Sequence, residues 1–396
     1  VGSEMCIRDR SIYGWRGAKV ENIQRFAEDF AGTVTVRLEQ NYRSTETILE
    51  AANGLISRNA GRLGKNLWTE GERGDPITLY AGFNEQDEAR YIVEQAETWC
   101  DEGNPRRSVA ILYRSNAQSR VLEEALLRER IPYRIYGGQR FYERLEIRNA
   151  LAYLRLAQAR RDDAALERVL NTPPRGIGNK TVEKLREVAR RDQAPLWEAI
   201  DVVQKQTLLP ARALTALANF QALIDDFATS AETLSLDEFT KHVIEMSGLM
   251  NYHRSEKGER GQARVENLQE LVTATRLFEP EDETISPLQA FLDSAALDAG
   301  EGQADPYEDS IQMMTLHSAK GLEFPLVFMA GVEENLFPHQ MSLEEPGRLE
   351  EERRLAYVGI TRAMQKLIVT YAENRRLHAG QINNHPTLFI RDKPGQ

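Results

Sequence analysis

Residues 315–324 read TLHSAKGLEF and residues 350–364 read EEERRLAYVGITRAM, and these two stretches decide the fold. The first places a glycine-containing turn between two apolar, strand-like runs, where backbone N–H groups and Lys320 can meet a phosphate or a ribose. The second is a helical pattern with an acidic start, and Arg362 falls late in that helix. Together they predict one half of a nucleotide site, with the phosphates held by another domain.

The apolar patterns outside these stretches indicate a parallel sheet. They alternate in the order strand 77–83, helix 85–100, strand 109–113 and helix 118–130. Such alternation is typical of parallel strands joined by helices. From residue 137 to about Ala304 the chain reads as helices, and strands then resume at 311–316, 326–331 and 367–371, with a helix from near Leu349. The predicted fold class is α/β, a parallel-sheet domain interrupted by an inserted all-helical domain.

Charge is unevenly distributed along the chain. The 50 basic and 61 acidic residues give a net charge of −11, which by itself argues against a polyanionic partner. Residues 160–191, however, contain nine basic and five acidic residues, whereas residues 279–309 contain ten acidic and no basic ones. A basic patch and an acidic surface segment are therefore expected, and nucleic acid stays a candidate partner.

Cysteine usage and hydropathy point to a cytoplasmic protein. Cys6 and Cys100 are too few and too isolated for a disulfide framework or a cysteine metal site. The apolar runs are far shorter than the roughly 20 residues that span a bilayer, and no secretory signal pattern is recognisable. We expect a reducing compartment and no membrane partner.

Four segments in chain order resemble motifs of the UvrD-type superfamily 1A DNA helicases: SIYGWRGA at 11–18, LEQNYRST at 38–45, and the two stretches quoted first. The similarity runs from about Ser11 to about Thr387. In that family two RecA-like domains sandwich ATP, and each carries an inserted domain that handles DNA. The resemblance implies a RecA-like sheet domain, ATP and Mg²⁺ as cofactors, and 3′ to 5′ unwinding of duplex DNA in repair and replication.

The resemblance also implies the partners. A junction of single-stranded and duplex DNA is the expected substrate, DNA repair proteins are expected partners, and self-association is left open. An alternative of a different class is a non-catalytic DNA-binding module that keeps the duplex contacts of the helical insertion.

The resemblance divides the chain into domains. Residues 1–39 would be a remnant of the first RecA-like domain, with an aberrant leader over residues 1–10. Residues 40–136 and 308–396 would form the second RecA-like domain, and residues 137–307 the inserted helical DNA-binding domain.

The phosphate-binding residues of the family are missing from this sequence. No GxxxxGK[ST] loop occurs, and Gly61 to Lys65 lacks the required glycine spacing. The acidic Mg²⁺-binding box expected before residue 11 is replaced by MCIRDR. Residues 87–90, DEAR, imitate that box but open an amphipathic helix, where acidic residues simply favour the dipole. We therefore expect an N-terminally truncated helicase with a foreign or mistranslated leader, which hydrolyses no ATP by itself.

Five residues are candidates for contact with the nucleotide, four of them by the resemblance. Arg43 and Arg362 would reach the γ-phosphate, Arg362 as an arginine finger, because arginine offers a planar, permanently charged fork to a transferring phosphate. Tyr42 would stack on adenine, and Glu323 would accept a ribose hydroxyl. The alternative for the arginines is structural ion pairing, for example with Glu350 to Glu352 of the same helix. Lys320 would either touch phosphate or cap its turn.

Five residues are assigned to single-stranded DNA on the same grounds. Trp15 and Arg16 match a segment whose tryptophan stacks on bases. Arg114, Asn116 and His317 are matching candidates for contacts to the strand backbone, although a lone histidine such as His317 is also typical of a structural role.

Two further motifs resemble duplex contacts of the family. Residues 172–180, TPPRGIGNK, look like a helix-hairpin-helix turn that approaches duplex phosphates through Thr172, Arg175, Gly176, Gly178 and Lys180. Residues 373–380 resemble the hairpin that separates the duplex, with His378 at the tip where the family commonly has an aromatic ring. The alternative for that segment is an ordinary β-hairpin.

Overall fold

The computed structural model describes residues 12, 29–30, 32–34, 36, 39–59, 66–280, 282, 284–300, 304–305, 307–344, 347–377, 380–383, 385–387 and 389. Contacts divide the chain into two compact units. The sheet unit comprises Val1–Arg140, Gln303–Arg376 and Gln381–Gln396, and the helical unit comprises Phe141–Gly302 and Leu377–Gly380. The predicted class, an α/β sheet domain interrupted by a helical insertion, is confirmed.

One sheet organises the sheet unit. Its strands in the described ranges are β1 Thr78–Asn84, β2 Val109–Tyr113, β3 Tyr133–Ile135, β4 Ile311–Thr315, β5 Phe324–Met329, β6 Ala363–Leu377 and β7 Gly380–Asn383. Strands β1 to β6 run parallel in the order β1-β6-β5-β2-β4-β3, and β7 pairs with β6. Because these six strands are parallel, their amino ends share one edge of the sheet and their carboxyl ends share the other.

The α-helices in chain order are α1 Glu46–Ile56, α2 Glu85–Asp101, α3 Ser119–Arg128, α4 Leu145–Gln158, α5 Asp163–Val169, α6 Asn179–Asp192, α7 Leu196–Lys205, α8 Ala211–Ser230, α9 Leu236–Met246, α10 Leu249–Arg254, α11 Glu259–Leu277, α12 Pro287–Gly300, α13 Gln340–Glu344 and α14 Arg348–Ile360. Side-chain caps explain several starts. Asn84, for example, accepts the backbone N–H of Asp87 at 2.8 Å ahead of α2.

Within the described residues, no helix combines the length and the apolar character needed to cross a membrane.

Helices cover both faces of the sheet. On β2, Ala110 and Leu112 belong to a core with residues of α1 and α14, whereas Val109 and Ile111 belong to a second core with residues of α2 and α3. All five residues of β2 are buried. A parallel strand covered on both faces is expected to read as a continuous apolar run, which the VAILY sequence of β2 does.

The helical unit has a core of its own, built from helices α4 to α12. Aromatic rings fill its centre, and Tyr153 and Phe227 meet edge to face with centroids 6.1 Å apart. Two polar contacts inside this core link α4 and its start to α11: Arg144 donates to the Asn267 side-chain oxygen at 2.9 Å, and Asn267 donates to Glu146 at 2.6 Å. Such satisfied polar contacts avoid the cost of burying them unpaired.

Strand β6 differs most from the sequence-based prediction. It runs from Ala363 to Leu377, well beyond the predicted 367–371. The sequence at its end, AENRR, is polar and therefore does not indicate a buried strand. Arg375 is nevertheless buried, at 7 % exposure, because it pairs with carboxylates that are distant in sequence. The helix predicted at 118–130 is the shorter α3, because residues 116–118 form a separate 3-10 turn with Ser115 as its cap.

Candidate functional site

The segment 41–45 is held at the amino-terminal edge of the sheet. Asn41 is buried, and its side-chain oxygen accepts the backbone N–H groups of Arg43 and Ser44 at 2.8 and 2.9 Å. The Ser44 hydroxyl donates to the carbonyl oxygen of Ala363, the first residue of β6, at 2.6 Å. The backbone on both sides of Arg43 is therefore fixed, which limits where its side chain can reach.

Arg43 contacts two other segments at this edge. Its Nε donates to the Glu323 carboxylate, and its Nη1 lies 3.5 Å from the Thr361 carbonyl oxygen. Glu323 immediately precedes β5, and its side chain is 50 % exposed, against 24 % for Arg43. Two residues assigned to a nucleotide by the family resemblance thus form one ion pair that solvent can reach.

Arg362 lies in the turn between α14 and β6, because α14 ends at Ile360; the expectation that it lies late in the helix is wrong. Its side chain is only 1 % exposed. Nε donates to the Val358 carbonyl oxygen at 3.0 Å, Nη1 to the Leu322 carbonyl oxygen at 2.8 Å, and Nη2 to the Thr361 hydroxyl at 3.1 Å. The guanidinium therefore ties the end of α14 to the segment that enters β5.

Thr361 connects the two arginines. Its carbonyl oxygen faces Arg43 and its hydroxyl accepts from Arg362, while the residue itself is fully buried. Sequence reasoning did not single out Thr361. The available signal was its position directly before Arg362, within the ITRAM text.

Tyr42 and Lys320 are both exposed. Tyr42 is 86 % exposed, and its hydroxyl donates to the Gln40 side-chain oxygen at 2.7 Å. Lys320 is exposed on the turn that follows β4, which a 3.0 Å hydrogen bond between the Thr315 and Ser318 hydroxyls closes. An exposed ring next to a solvent-reachable arginine–carboxylate pair fits the base, phosphate and ribose groups of a nucleotide.

Three of the five residues assigned to single-stranded DNA lie at the opposite edge of the sheet. Arg114 and Asn116 follow the carboxyl end of β2, and His317 follows that of the neighbouring β4. Arg114 donates from Nε and Nη2 to both oxygens of Glu352, at 2.8 to 3.1 Å, and Glu352 is 5 % exposed. This bidentate pair orients the Arg114 guanidinium, which limits its freedom to meet a DNA phosphate.

A buried charge cluster, which we call the Arg375 cluster, was missed by sequence reasoning. Arg375 on β6 donates to the carboxylates of Glu88 on α2 and Glu333, the latter after β5. Glu88 also accepts the Gly331 backbone N–H at 2.8 Å and the Thr370 hydroxyl at 2.6 Å. The expectation that Glu88 simply favours the helix dipole is therefore corrected: it is a buried partner that joins three elements.

Burial controls protonation in the Arg375 cluster. It raises the pKa of Glu333 above its ordinary value, as does the charge of Glu88, and Arg375 only partly opposes this. Burial alone would lower the pKa of Arg375, but the two carboxylates outweigh it and raise the pKa, so the guanidinium stays charged. The cluster thus holds a permanent cation between two buried carboxylates.

The turn at 172–180 is organised from inside. The Asn171 side-chain oxygen accepts the backbone N–H groups of Arg175 and Ile177 at 2.7 and 3.2 Å. The Arg175 guanidinium donates to the carbonyl oxygens of Val169, Pro173 and Ser247 at 2.7 to 3.2 Å, and it lies over the rings of Tyr153 and Phe220. Arg175 thus stabilises the turn, whereas Thr172 is half-buried and Gly176, Gly178 and Lys180 are exposed.

The stretch 160–191 has fewer unpaired positive charges in the folded structure than its composition predicts. Five of its nine cations form ion pairs, which are Arg160 with Asp225, Arg161 with Glu198, Lys184 with Glu187, Arg186 with Glu167 and Arg191 with Asp192. Three of these acidic partners, Asp192, Asp225 and Glu198, come from outside the stretch, so a local count could not include them. The expectation of a broad basic patch is corrected accordingly.

Comparison with known proteins identifies the family of this chain. Residues 36–374 match the UvrD-like helicase C-terminal domain family. The chain belongs to this family. It is 60% identical over 388 residues to DNA helicase II of Escherichia coli K12, with 98% of this chain and 54% of that protein covered.

Other relatives of this UvrD-like chain are covered to a similar share of their length. DNA helicase II of Haemophilus influenzae is 57% identical over 388 residues, with 98% of this chain and 53% of that protein covered. The ATP-dependent DNA helicase PcrA of Bacillus subtilis is 42% identical over 393 residues, with 98% and 53% covered. The chain spans about half the length of the curated relatives it matches.

Three residues assigned to DNA from the UvrD-type resemblance lie outside the described residues: Trp15, Arg16 and His378. Strands β6 and β7 pair on either side of His378, so a strand pair does flank the predicted tip. Its role, like those of the other assigned residues, stays a prediction.

Proposed function

We propose that this chain is the part of an ATP-dependent 3′ to 5′ DNA helicase that completes the nucleotide site and contacts DNA. Membership of the UvrD-like family and the names of the relatives support this function. The observation that carries the proposal is the convergence of Arg43, Glu323 and Arg362 through Thr361 at one edge of the sheet.

The position of these residues suggests how they act. Ligands of open α/β sheets usually bind at the carboxyl ends of the strands. Arg43, Glu323 and Arg362 instead lie at the amino ends of β5 and β6, where they would face a nucleotide whose phosphates another part of the protein holds. ATP would supply the phosphoryl group whose transfer drives unwinding.

Each residue has a distinct role in the proposed site. Arg43 neutralises developing charge on the transferring phosphate, and its fixed backbone keeps the fork in place. Glu323 accepts a ribose hydroxyl, and Tyr42 stacks on the base. Arg362 positions Thr361 and the start of β5, and it reaches the phosphate only if its present hydrogen bonds exchange.

Among the described residues no cluster of three or more His, Cys, Asp or Glu side chains is placed to hold a metal ion, and we assign no residue of this chain to Mg²⁺.

The DNA residues would act at the other edge and in the helical unit. Arg114, Asn116 and His317 would follow a single strand, and the turn at 172–180 would contact duplex phosphates. Repair proteins as partners and self-association stay predictions from the resemblance, and a cytoplasmic location stays a prediction from cysteine usage and hydropathy.

The test uses a fusion protein in which this chain is joined to the remaining part of E. coli DNA helicase II. The measurement is DNA-stimulated ATP hydrolysis by this fusion. Arg43→Ala is expected to lower kcat about a thousandfold or more, because an arginine on a transferring phosphate contributes at least that much. Tyr42→Ala is expected to raise KM for ATP about tenfold with little change in kcat, since stacking on a base contributes about 1–3 kcal/mol. The Tyr42 ring is almost fully exposed, so its removal should leave the fold intact.

Two controls frame this test. Arg90→Ala removes an exposed arginine that pairs with Asp87 and Glu94 on α2, and kcat and KM should not change. The 396-residue chain alone should release no phosphate with or without DNA. Hydrolysis by that chain alone, or an Arg43→Ala fusion with unchanged kcat, would contradict the proposal.

A further inference from the structure

The turn at 172–180 has a cation beside it that comes from another helix. Arg212 lies in the first turn of α8, and its Nη2 and Nε atoms are 3.9 and 4.0 Å from the position that a Cβ would take at Gly176. Gly176 has a φ of +80°, a conformation that side chains rarely adopt, and the turn is exposed there. The Arg212 guanidinium therefore borders the exposed backbone of the turn.

Among the residues that the structure describes, none is an internal partner that explains the position of Arg212. Within the described part of the chain, Arg212 and Lys180 form no hydrogen bond or ion pair through their side chains, and both residues are exposed. Arg175, the other cation of the turn, differs because three carbonyl oxygens and two rings hold it inside.

The local electrostatics disfavour a cation here in the absence of an anion. Lys180 and Arg212 lie in the first turns of α6 and α8, where the helix dipole is positive. Neither first turn contains an acidic residue, although acidic residues are the usual complement at such positions. Two cations at two helix starts, next to an open glycine turn, make a concentrated positive surface.

We propose that Arg212 contacts a backbone phosphate of duplex DNA beside the 172–180 turn, as a member of one phosphate-binding surface with Lys180. The proposal rests on the DNA-binding function proposed above and adds to it a residue from a helix outside the motif. The contact is independent of base sequence, because a guanidinium on a phosphate reads no base edge.

The experiment measures binding of the 396-residue chain to a short fluorescent duplex over a series of salt concentrations. Each phosphate contact contributes about 0.9 to the slope of log affinity against log salt. Arg212→Ala and Lys180→Ala are each expected to reduce the slope by about that amount, equally for two duplexes of unrelated sequence. Arg212→Lys keeps the charge and should keep most of the slope.

The matched control is Arg190→Ala. Arg190 is also exposed on α6 and has no partner within the described ranges, but it lies ten residues beyond Lys180, about 15 Å along the helix. Its substitution should leave the slope unchanged. Thermal unfolding of each variant verifies that the fold is retained, which is expected because these side chains are exposed.

The outcomes separate the two proposals. Salt-dependent duplex binding that Lys180→Ala weakens and Arg212→Ala does not would overturn the role of Arg212 and leave the DNA-binding function standing. A wild-type chain with no salt-dependent duplex binding would overturn both. A slope reduced as much by Arg190→Ala as by Arg212→Ala would show a general charge effect and would also overturn the specific contact.

Discussion

Four arginines show how one residue type takes different roles in this chain. Arg43 forms a solvent-reachable pair with Glu323, Arg175 is held by carbonyl oxygens and aromatic rings, and Arg362 is almost fully buried. Arg212 is exposed beside a glycine turn. Loss of function after substitution therefore has a different meaning at each position.

At Arg362 we predict a large loss of stability. Arg362→Met should lower the free energy of unfolding of the sheet unit by about 3 kcal/mol, because the Val358 and Leu322 carbonyl oxygens would lose their buried donor. Urea denaturation followed by circular dichroism measures this. Arg90→Ala, at an exposed ion pair, serves as the control and should leave the midpoint unchanged. An equally unchanged midpoint for Arg362→Met would show that its hydrogen bonds contribute little.

Among the secondary-structure elements, strand β6 depends on the Arg375 cluster. The polar end of β6 stays in the sheet because Glu88 and Glu333 neutralise Arg375 inside the unit. Removing one partner of such a buried network leaves an uncompensated charge, which is costly. The strand therefore depends on carboxylates from α2 and from the segment after β5.

The Arg375 cluster predicts an unusual pH dependence. Burial raises the folded-state pKa of Glu333 above its ordinary value of 4.5, so its contribution to stability is full below that value and is lost as pH rises through the folded-state pKa. Glu333→Gln cannot titrate. The unfolding free energy of this variant, relative to the wild type, should therefore increase as pH rises above about 4.5.

The control for this pH profile is Asp309→Asn, which should show the opposite sign. Although burial tends to raise the pKa of Asp309, the backbone N–H groups of Arg107 and Arg106, each at 2.9 Å, lower it. Its contribution is present above the ordinary pKa of 3.8 and is lost as pH falls, so this variant becomes relatively less stable as pH rises. Parallel profiles for the two variants would contradict the assignment of Glu333.

On the scale of the whole molecule, each unit contains its own core. The core of the helical unit is formed entirely by residues between Phe141 and Ala295, and the cores of the sheet unit come from residues outside that range. Internal pairs such as Arg144 with Asn267 also stay within the helical unit. A contiguous segment with a separate core is expected to fold alone.

We therefore predict that residues 141–302 fold when expressed alone. The segment should give a helical circular dichroism spectrum and unfold cooperatively, with an unfolding free energy of about 5 kcal/mol or more. Denaturation by urea, compared with the complete chain, measures this. A gradual, non-cooperative transition would show that the helical unit needs the sheet unit to fold.

Several features were predictable from the sequence because their cause is local. The run VAILY predicts β2 at its observed bounds, because a buried parallel strand must be apolar on both faces. The start of α2 follows from Asn84 as a cap and from the acidic first turn. Four motifs in chain order, SIYGWRGA, LEQNYRST, TLHSAKGLEF and EEERRLAYVGITRAM, indicated the helicase family, which the comparison over residues 36–374 confirms.

Other features depended on contacts between residues far apart in the chain. Composition could not reveal that Arg375 is neutralised by Glu88, or that most of the basic stretch is paired. Nor could the sequence reveal that Arg212, which lies on a different helix, is close to Gly176. The sequence by itself determined the order of strands and helices and the family, because periodicity and motifs are local. Only the tertiary structure decided which charges are buried, paired or exposed, because ion pairing and burial depend on neighbours that folding brings together.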